Sequence, residues 1–183
     1  PAVFTADPRL VPKAREIQRL SFEEMMEMAS LGSKVLHVRS VEIGAKHQVR
    51  IHVRHTFQER EGTWIVPEGE AMENPVVSAV THDSATLVFK LMSIPSDTDF
   101  MAKLFSALAE KGVSVDIISQ SETESGHRLA FSVTAEDEPL TRKVLAGFLP
   151  KGVELQTLDA VAKISTLGVG MRNHPGVAAR FFS

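Results

Sequence analysis

The order of secondary structure predicted between Ala85 and Leu158 constrains the fold more than any other feature of this sequence. Segments with strand patterns alternate with two amphipathic segments in the order β-α-β-β-α-β. This is the order of the split βαβ, or ferredoxin-like, unit, in which both helices cover one face of an antiparallel sheet. We therefore expect an α+β fold whose other sheet face is free for a partner. The predicted strands are 85–92, 113–119, 128–134 and 153–158.

Two predicted helices carry apolar residues at helical spacing. The first follows the turn 93–98, where Ser96 or Asp97 is the expected N-cap. The second runs from Glu136 to about Leu149, and Pro139 is tolerated in its first turn. The side chains expected to face the core are Phe100, Met101, Leu104, Phe105, Leu108, Leu140, Val144, Leu145 and Phe148.

The first 66 residues have a different pattern, which predicts a separate unit. Ser21 and Glu24 have the spacing of a capping box at the start of a helix, and Gly32 is the expected stop. PEGEAMENP has no apolar period and indicates a linker at a domain boundary. The other predicted elements are a helix from Ser33 to about Lys46, strands at 49–55 and 62–66, the linker at 67–75 and an entry strand at 76–80.

Composition excludes several classes of protein. The 183 residues carry a net charge of −3, so nothing indicates binding to nucleic acid. The absence of cysteine excludes disulfides and thiolate metal sites, and it agrees with a location in the reducing cytoplasm. No apolar run approaches the ~20 residues of a membrane span. The seven histidines lack metal-ligand spacing, so we expect no metal site.

The end of the sequence resembles an earlier part of it. Residues 162–183 align without a gap on 85–106, with four identities in 22 positions at Ala162, Ala179, Phe182 and Ser183. The shared strand, turn and helix pattern predicts an internal repeat whose second copy stops inside its first helix. The alternative is a single domain with a frayed tail. The missing initial Met and the shortened repeat lead us to expect a fragment.

Three short segments have residues suited to binding small ions. FTADPR can present Thr5 and Arg9 to a phosphate, although a surface turn with an Arg–Asp pair is the simpler interpretation. GSK, residues 32–34, sits at a predicted helix start, yet it lacks the full P-loop, and a solvated Lys34 is simpler. HPG, residues 174–176, leaves backbone donors near a helix start that suit the carboxylate of a small amino acid.

In sequence order, these segments resemble aspartate kinase. FTADPR and LSFEEMMEMASLGSKVLHVRSVE resemble the end of that family's kinase domain, and VRIHVRHTFQEREGTWI resembles its final strands. SALAEKGVSVDIISQS and VAKISTLGVGMRNHPGVAARFF resemble its paired ACT domains, which are βαββαβ modules that bind amino acids. The resemblance implies a kinase-domain tail at 1–66, a linker at 67–75, a first ACT domain at 76–160 and a truncated second one at 161–183.

The resemblance also implies roles for particular residues, none of them catalytic. The residues expected to line the ATP site are Phe4, Thr5, Ala6, Asp7, Pro8, Arg9 and Lys34. The expected effector-binding residues are Ser96, Asp97, Thr98, Asp99, Asp116, Gln120, Asn173, His174, Pro175, Gly176, Val177 and Ala178.

The activity that the resemblance implies for the parent protein is phosphorylation of the β-carboxylate of aspartate with MgATP. The expected effectors are lysine and threonine, and the expected partner is a second copy bound through ACT domains. The isolated chain is expected to be inactive, because the family's catalytic residues belong to an N-terminal part that is absent here. Two alternatives stay open: a non-catalytic ACT module for sensing or dimerisation, and a stable ferredoxin-like domain with unfolded flanks.

Overall fold

A computed structural model describes residues 2–71, 77–95, 97–123, 126–168 and 174–183 of the chain. The chain divides into two compact units. The first unit comprises Pro1–Asp83 and Ile164–Ser183, and the second unit comprises Ser84–Lys163. The second unit is therefore an insertion in the sequence of the first.

Five helices and seven strands lie in the described part of the chain. The helices are α1 (Phe22–Ser30), α2 (Val38–Lys46), α3 (Thr98–Glu110), α4 (Glu138–Phe148) and α5 (Val177–Phe182). The strands are β1 (Arg19–Ser21), β2 (Ile51–Val53), β3 (Thr63–Val66), β4 (Ala79–Ile94), β5 (Val115–Thr123), β6 (Gly126–Thr134) and β7 (Glu154–Leu167).

The second unit has the predicted ferredoxin-like architecture. Its strands lie in the order β5-β6-β4-β7, and β6 pairs antiparallel with both β4 and β5. Phe89 on β4 lies opposite Phe131 on β6, with the ring centroids 5.7 Å apart. The α+β fold class is therefore confirmed, and this order places the first and third strands of the unit at the centre of the sheet.

Helices α3 and α4 supply the apolar layer that covers this sheet. Leu104, Leu108 and Leu145 are fully buried, and Phe105 meets Phe131 edge to face at 5.8 Å. Burying each such side chain contributes roughly 1.5–3 kcal/mol. The predicted stripe on α3 is confirmed, because its remaining members, Phe100 and Met101, pack against the same core.

The prediction that Leu140 faces the core is wrong, because this side chain is 43% exposed. The inward face of α4 consists of Thr141, Val144, Leu145 and Phe148, which follow helical spacing. Leu140 lies about 100° away from Thr141 around the helix axis. Thr141 tolerates burial because its hydroxyl donates to the Asp137 carbonyl at 2.8 Å.

The first unit contains a three-stranded sheet in the order β1-β3-β2, with β1 parallel and β2 antiparallel to β3. The predicted capping box opens α1: Ser21 Oγ accepts from the Glu24 N–H, and Glu24 accepts from the Ser21 N–H, both at 3.1 Å. Strand β1 was not predicted, since three residues are too few for a periodic signal. The core residues are Val3, Leu20, Phe22, Met25, Met28, Val41, Val53, Ile65, Ala79 and Leu167.

The predicted separate strands at 76–80 and 85–92 are wrong, because one strand, β4, runs from Ala79 to Ile94. The polar residues 81–84 interrupt the apolar alternation, whereas backbone pairing keeps them extended. Strand β7 likewise continues to Leu167 instead of ending at 158. Ser78 N–H donates to the Leu167 carbonyl at 2.7 Å, so residues before and after the second unit pair within the first. The predicted division into four segments stays a prediction.

The segment after α1 also differs from the prediction, because α2 begins at Val38 instead of Ser33. His37 is its N-cap, and its Nδ1 accepts from the Arg39 N–H at 3.2 Å. Gly32 ends α1, as predicted, with φ +110°. None of the described helices is both long and apolar enough to cross a membrane.

Candidate functional site

The predicted nucleotide segment Phe4–Arg9 begins with an antiparallel pairing inside the first unit. Phe4 forms an isolated bridge with Glu16, and the Thr5 N–H donates to the Arg15 carbonyl at 2.8 Å. Thr5 Oγ1 accepts from the Arg15 N–H at 3.0 Å. The hydroxyl that was predicted to meet a phosphate therefore also holds this segment in place. Ala6 follows Thr5 in the chain, and Pro8 lies between Asp7 and Arg9.

Asp7 and Arg9 form a closed turn at the end of the segment. Arg9 donates from Nε to Asp7 Oδ1 at 3.0 Å and from Nη2 to Oδ2 at 2.7 Å. The hydrogen bond from the Arg9 side chain, and then that from the Arg9 N–H, lowers the pKa of Asp7 from 3.8 to about 2. Asp7 likewise raises the pKa of Arg9. This is the surface turn with an Arg–Asp pair that the sequence favoured.

Lys34 is exposed and lies in the connection between α1 and α2. The prediction that GSK opens a helix is wrong, since three residues lie between Lys34 and Val38, the first residue of α2. Gly32 packs so closely on β4 that a Cβ there would lie 2.9 Å from the His82 carbonyl oxygen. Only glycine fits this position without displacement, because its φ is positive as well.

Two segments far apart in sequence meet on the same few residues of β4. The Val80 N–H donates to the Thr5 carbonyl at 2.8 Å, and Gly32 lies against His82 and Asp83. His82 is also close enough to Asp7 to lower its pKa slightly. The structure therefore brings the FTADPR segment and the GSK turn together at residues 80–83, which had no predicted role. No pattern in the sequence identifies these residues, because their part is to make backbone contacts.

The predicted effector turn of the second unit forms the N-terminus of α3. Asp97 is the N-cap, and its Oδ1 accepts from the Asp99 N–H at 2.9 Å. Asp99 forms an ion pair with Lys103 one turn along the helix, which raises the pKa of Lys103. Thr98 is the first residue of α3. Ser96 lies outside the described residues, as does Asn173 in the second predicted site.

Asp116 and Gln120 lie on β5, an edge strand of the sheet. Gln120 pairs in register with Leu129 and is exposed. The carboxylate of Asp116 forms an ion pair with Lys163 Nζ on β7. Lys163 was not predicted to have any role, because a lone lysine in an alternating strand carries no recognisable signal.

The second predicted effector turn leads into the short helix α5. His174 and Pro175 precede Gly176, which is the N-cap with φ +96°. The Arg180 N–H donates to the Gly176 carbonyl at 3.1 Å, so Val177 and Ala178 lie in the first helical turn. The strand, turn and helix order of β7 and α5 matches that of β4 and α3, while the repeat itself stays a prediction.

Comparisons with known proteins found similarities for both parts of the chain. The sequence model of the amino acid kinase family matches residues 1–55. Aspartokinase from Mycolicibacterium smegmatis is 37% identical over 98% of this chain and 44% of its own length. The regulatory subunit of aspartate kinase from Thermus thermophilus is 33% identical, with a TM-score of 0.55, over 59% of this chain and 73% of that one.

Escherichia coli aspartokinase III is similar to this chain in two solved states. The complex with aspartate and ADP has a TM-score of 0.85 at 25% identity, over 100% of this chain and 41% of that one. The complex with lysine and aspartate has a TM-score of 0.72 at 26% identity, over 92% and 38%. The chain thus spans less than half the length of the curated relatives it matches, such as the 44% covered in the M. smegmatis protein.

The ferredoxin-like unit is an ACT-type regulatory domain, and it is joined to a segment of an amino acid kinase. This combination defines a class of amino acid kinases that carry their own regulatory domains. Within that class, the chain belongs to the aspartate kinase family.

Proposed function

We propose that this chain is the regulatory portion, with part of the nucleotide wall, of an enzyme that phosphorylates the β-carboxylate of L-aspartate with MgATP. The observation that carries the proposal is the meeting of Thr5 and Gly32 on residues 80–83 of β4. Both predicted nucleotide segments are anchored to one strand. The position of a phosphate bound by one segment would therefore depend on the position of the other segment. Lys34 would supply an exposed ammonium to the phosphates, as a flexible point charge.

The residues of this chain suit a nucleotide wall better than a reaction centre. The Arg9 guanidinium already has Asp7 as its partner, so it would shape the turn more than neutralise a transferring phosphate. No cluster of three or more potential metal ligands occurs among the described residues. In this proposal Mg²⁺ arrives with ATP, and the residues that hold it and the aspartate lie outside this chain. Phosphoryl transfer depends on such positioning and charge neutralisation.

A coupled ADP-release assay tests whether this chain supplies only part of the nucleotide wall and not the reaction centre. The purified chain with aspartate and MgATP should give no turnover above that of a boiled sample, because it lacks the reaction centre. Lys34→Met in the complete enzyme should raise the KM for ATP by about tenfold, whereas Lys111→Met, an exposed lysine of the second unit, should leave it unchanged. Turnover by the chain alone, or equal KM values for both variants, would refute the proposal.

The proposed regulation is feedback by lysine or threonine at the turns that begin α3 and α5. Asp97, Asp99 and Asp116 are the acids that would attract the ligand's ammonium group, and His174–Ala178 would receive a carboxylate. The two E. coli structures of aspartokinase III, one with ADP and one with lysine, support this role for the family. Titration calorimetry on the complete enzyme tests it, and the absence of heat with either amino acid would count against it.

A non-catalytic role in association is the second candidate. Strand β5 is an edge strand whose residues are exposed along most of its length, with Ile117 49% and Ile118 51% exposed. Such an edge favours pairing with another chain. This role predicts self-association of the protein in the cytoplasm without any effect of ATP on residues 1–46. Hydrogen exchange with and without MgATP separates the two functions, since only a nucleotide wall gains protection there.

A further inference from the structure

A groove of about 310 Å³ lies in the second unit on the face of the sheet opposite its helices. Leu87 and Phe89 of β4 point into the helix-covered core, so Thr86 before Leu87 and Val88 between the two face the groove. Ala130 of β6 contributes a small side chain in the same way, between the core residues Leu129 and Phe131. Alternation along the paired strands β4 and β6 therefore places a mostly apolar set of side chains on this face.

Lys163 lines this groove, and its side chain is only 10% exposed. Its ammonium group forms an ion pair with the carboxylate of Asp116, whose side chain is 50% exposed. Because β5 and β7 are the two outer strands of the sheet, the pair links opposite edges above the open face. The groove is thus bounded by an ion pair as well as by apolar walls.

The free-energy cost of breaking this ion pair differs between its two residues. Asp116 can turn to water at little cost, since half of its side chain is already exposed. Lys163 cannot, because a buried ammonium without a partner is strongly unfavourable. Any ligand that displaces Asp116 from Lys163 must therefore bring its own anion. A ligand that also brings a cation can keep Asp116 at the rim, so both charges stay paired.

The residues that line the groove restrict the chemistry of the ligand's side chain. Val88, Ile117, Ala130 and Val161 present aliphatic surface to the groove. A charged ligand side chain would have to leave water for this aliphatic surface, which is unfavourable. A cationic one would also be repelled by the Lys163 ammonium. A volume of about 310 Å³ is at the lower end of the range for ligand pockets, so the space suits one small molecule.

We propose that this groove binds one α-amino acid with an aliphatic side chain. The ligand's carboxylate pairs with Lys163, its ammonium group pairs with Asp116, and its side chain lies on Val88, Ala130 and Val161. The site goes beyond the proposed lysine or threonine site, with which it shares only Asp116, and it does not depend on kinase activity. It makes the second unit responsive to a second chemical class of amino acid.

Titration calorimetry with valine, leucine and isoleucine tests the site directly. We expect binding, with Lys163→Met and Ala130→Leu each weakening it by about tenfold or more, because one removes the cation and the other fills the floor. Lys151→Met and Ala109→Leu are matched controls at exposed positions, and they should bind as the parent protein does. No heat with any of the three ligands, or unchanged binding by Lys163→Met, would overturn the proposal.

Ligand analogues test the same proposal without any variant, in case a substitution prevents folding. 4-Methylpentanoate lacks the ammonium of leucine, and isopentylamine lacks its carboxylate; each should bind about tenfold or more weakly than leucine. Equal binding of the amine would exclude a contact with Lys163. Loss of leucine binding in Lys163→Met with retained lysine or threonine binding would separate this groove from the proposed effector turns. If a second copy covers this face instead, Ala130→Leu would dissociate a dimer that binds no leucine, which refutes the proposal.

Discussion

Asp7 and Arg9 show how a local pair can be predicted from sequence while its surroundings cannot. The Asp-Pro turn signal and the nearby arginine indicated a surface ion pair, and the two side chains make two hydrogen bonds to each other. The contact of Thr5 with Val80 depends instead on β4, which lies some 75 residues further along the chain. Backbone contacts of this kind have no residue-type signal, because any amino acid can make them.

We expect the Asp7 carboxyl to titrate at about pH 2, well below its ordinary value of 3.8. Since the folded-state pKa is lowered, the stabilisation from this pair is present above about pH 4 and is lost as the pH falls towards 2. Carboxyl carbon NMR measures the pKa. As the pH falls over this range, the difference in melting temperature between the parent protein and Asp7→Asn should become smaller, because the parent loses the stabilisation from the pair. Titration of Asp7 near pH 4 would contradict the closed turn.

Gly32 and Gly152 form a matched pair for testing the close approach to β4. Both have positive φ, at +110° and +97°, but a Cβ has nothing within 4 Å at Gly152. Alanine at either position should cost about 1 kcal/mol through backbone conformation alone. Gly32→Ala should cost clearly more, because its Cβ would meet the His82 carbonyl at 2.9 Å. Thermal unfolding compares the two variants, and equal losses would mean that the contact is relaxed in solution.

At the scale of elements, helical periodicity predicted correctly which side chains of α3 face the core, whereas the ends of several elements were predicted wrongly. The stripe on α3 and the capping box of α1 follow from local spacing, and both are present. The helix that was expected from Ser33 begins at Val38, where His37 is the N-cap and its side chain accepts from the Arg39 N–H. Strand β4 was divided in the prediction at polar residues that pairing holds extended. Local signals therefore fail where a tertiary partner supplies the hydrogen bonds.

Leu145 and Leu140 test the orientation of α4. Leu145 is fully buried and Leu140 is 43% exposed, although both were expected to face the core. Leu145→Ala should lower the free energy of unfolding by about 2–5 kcal/mol, because it leaves a cavity. Leu140→Ala should change it by less than about 0.5 kcal/mol. Urea unfolding measures both, and a large loss at Leu140 would mean that the helix is rotated from the orientation described.

The whole molecule consists of two units, and the second has a sheet edge suited to association. We expect the protein to self-associate through β5, as predicted for an ACT domain, because this outer strand exposes Ile117 and Ile118. Ile118→Lys should shift sedimentation towards the monomer without lowering the melting temperature. Val49→Lys introduces the same charge at a site in the first unit that is 57% exposed, so it serves as the control. An unchanged oligomer in Ile118→Lys would exclude this edge as the interface.

The sequence by itself determined the α+β class, the order of elements in the second unit, the caps of α1 and α3 and the family resemblance. These features depend on interactions between near neighbours, so they leave a period or a motif in the chain. Only the tertiary structure decided that residues 78 and 167 pair around an inserted unit, that the FTADPR and GSK segments meet on β4, and that Lys163 reaches Asp116. Those contacts join residues from 47 to 89 positions apart, and no local pattern records which distant partner a backbone group or a charge will find.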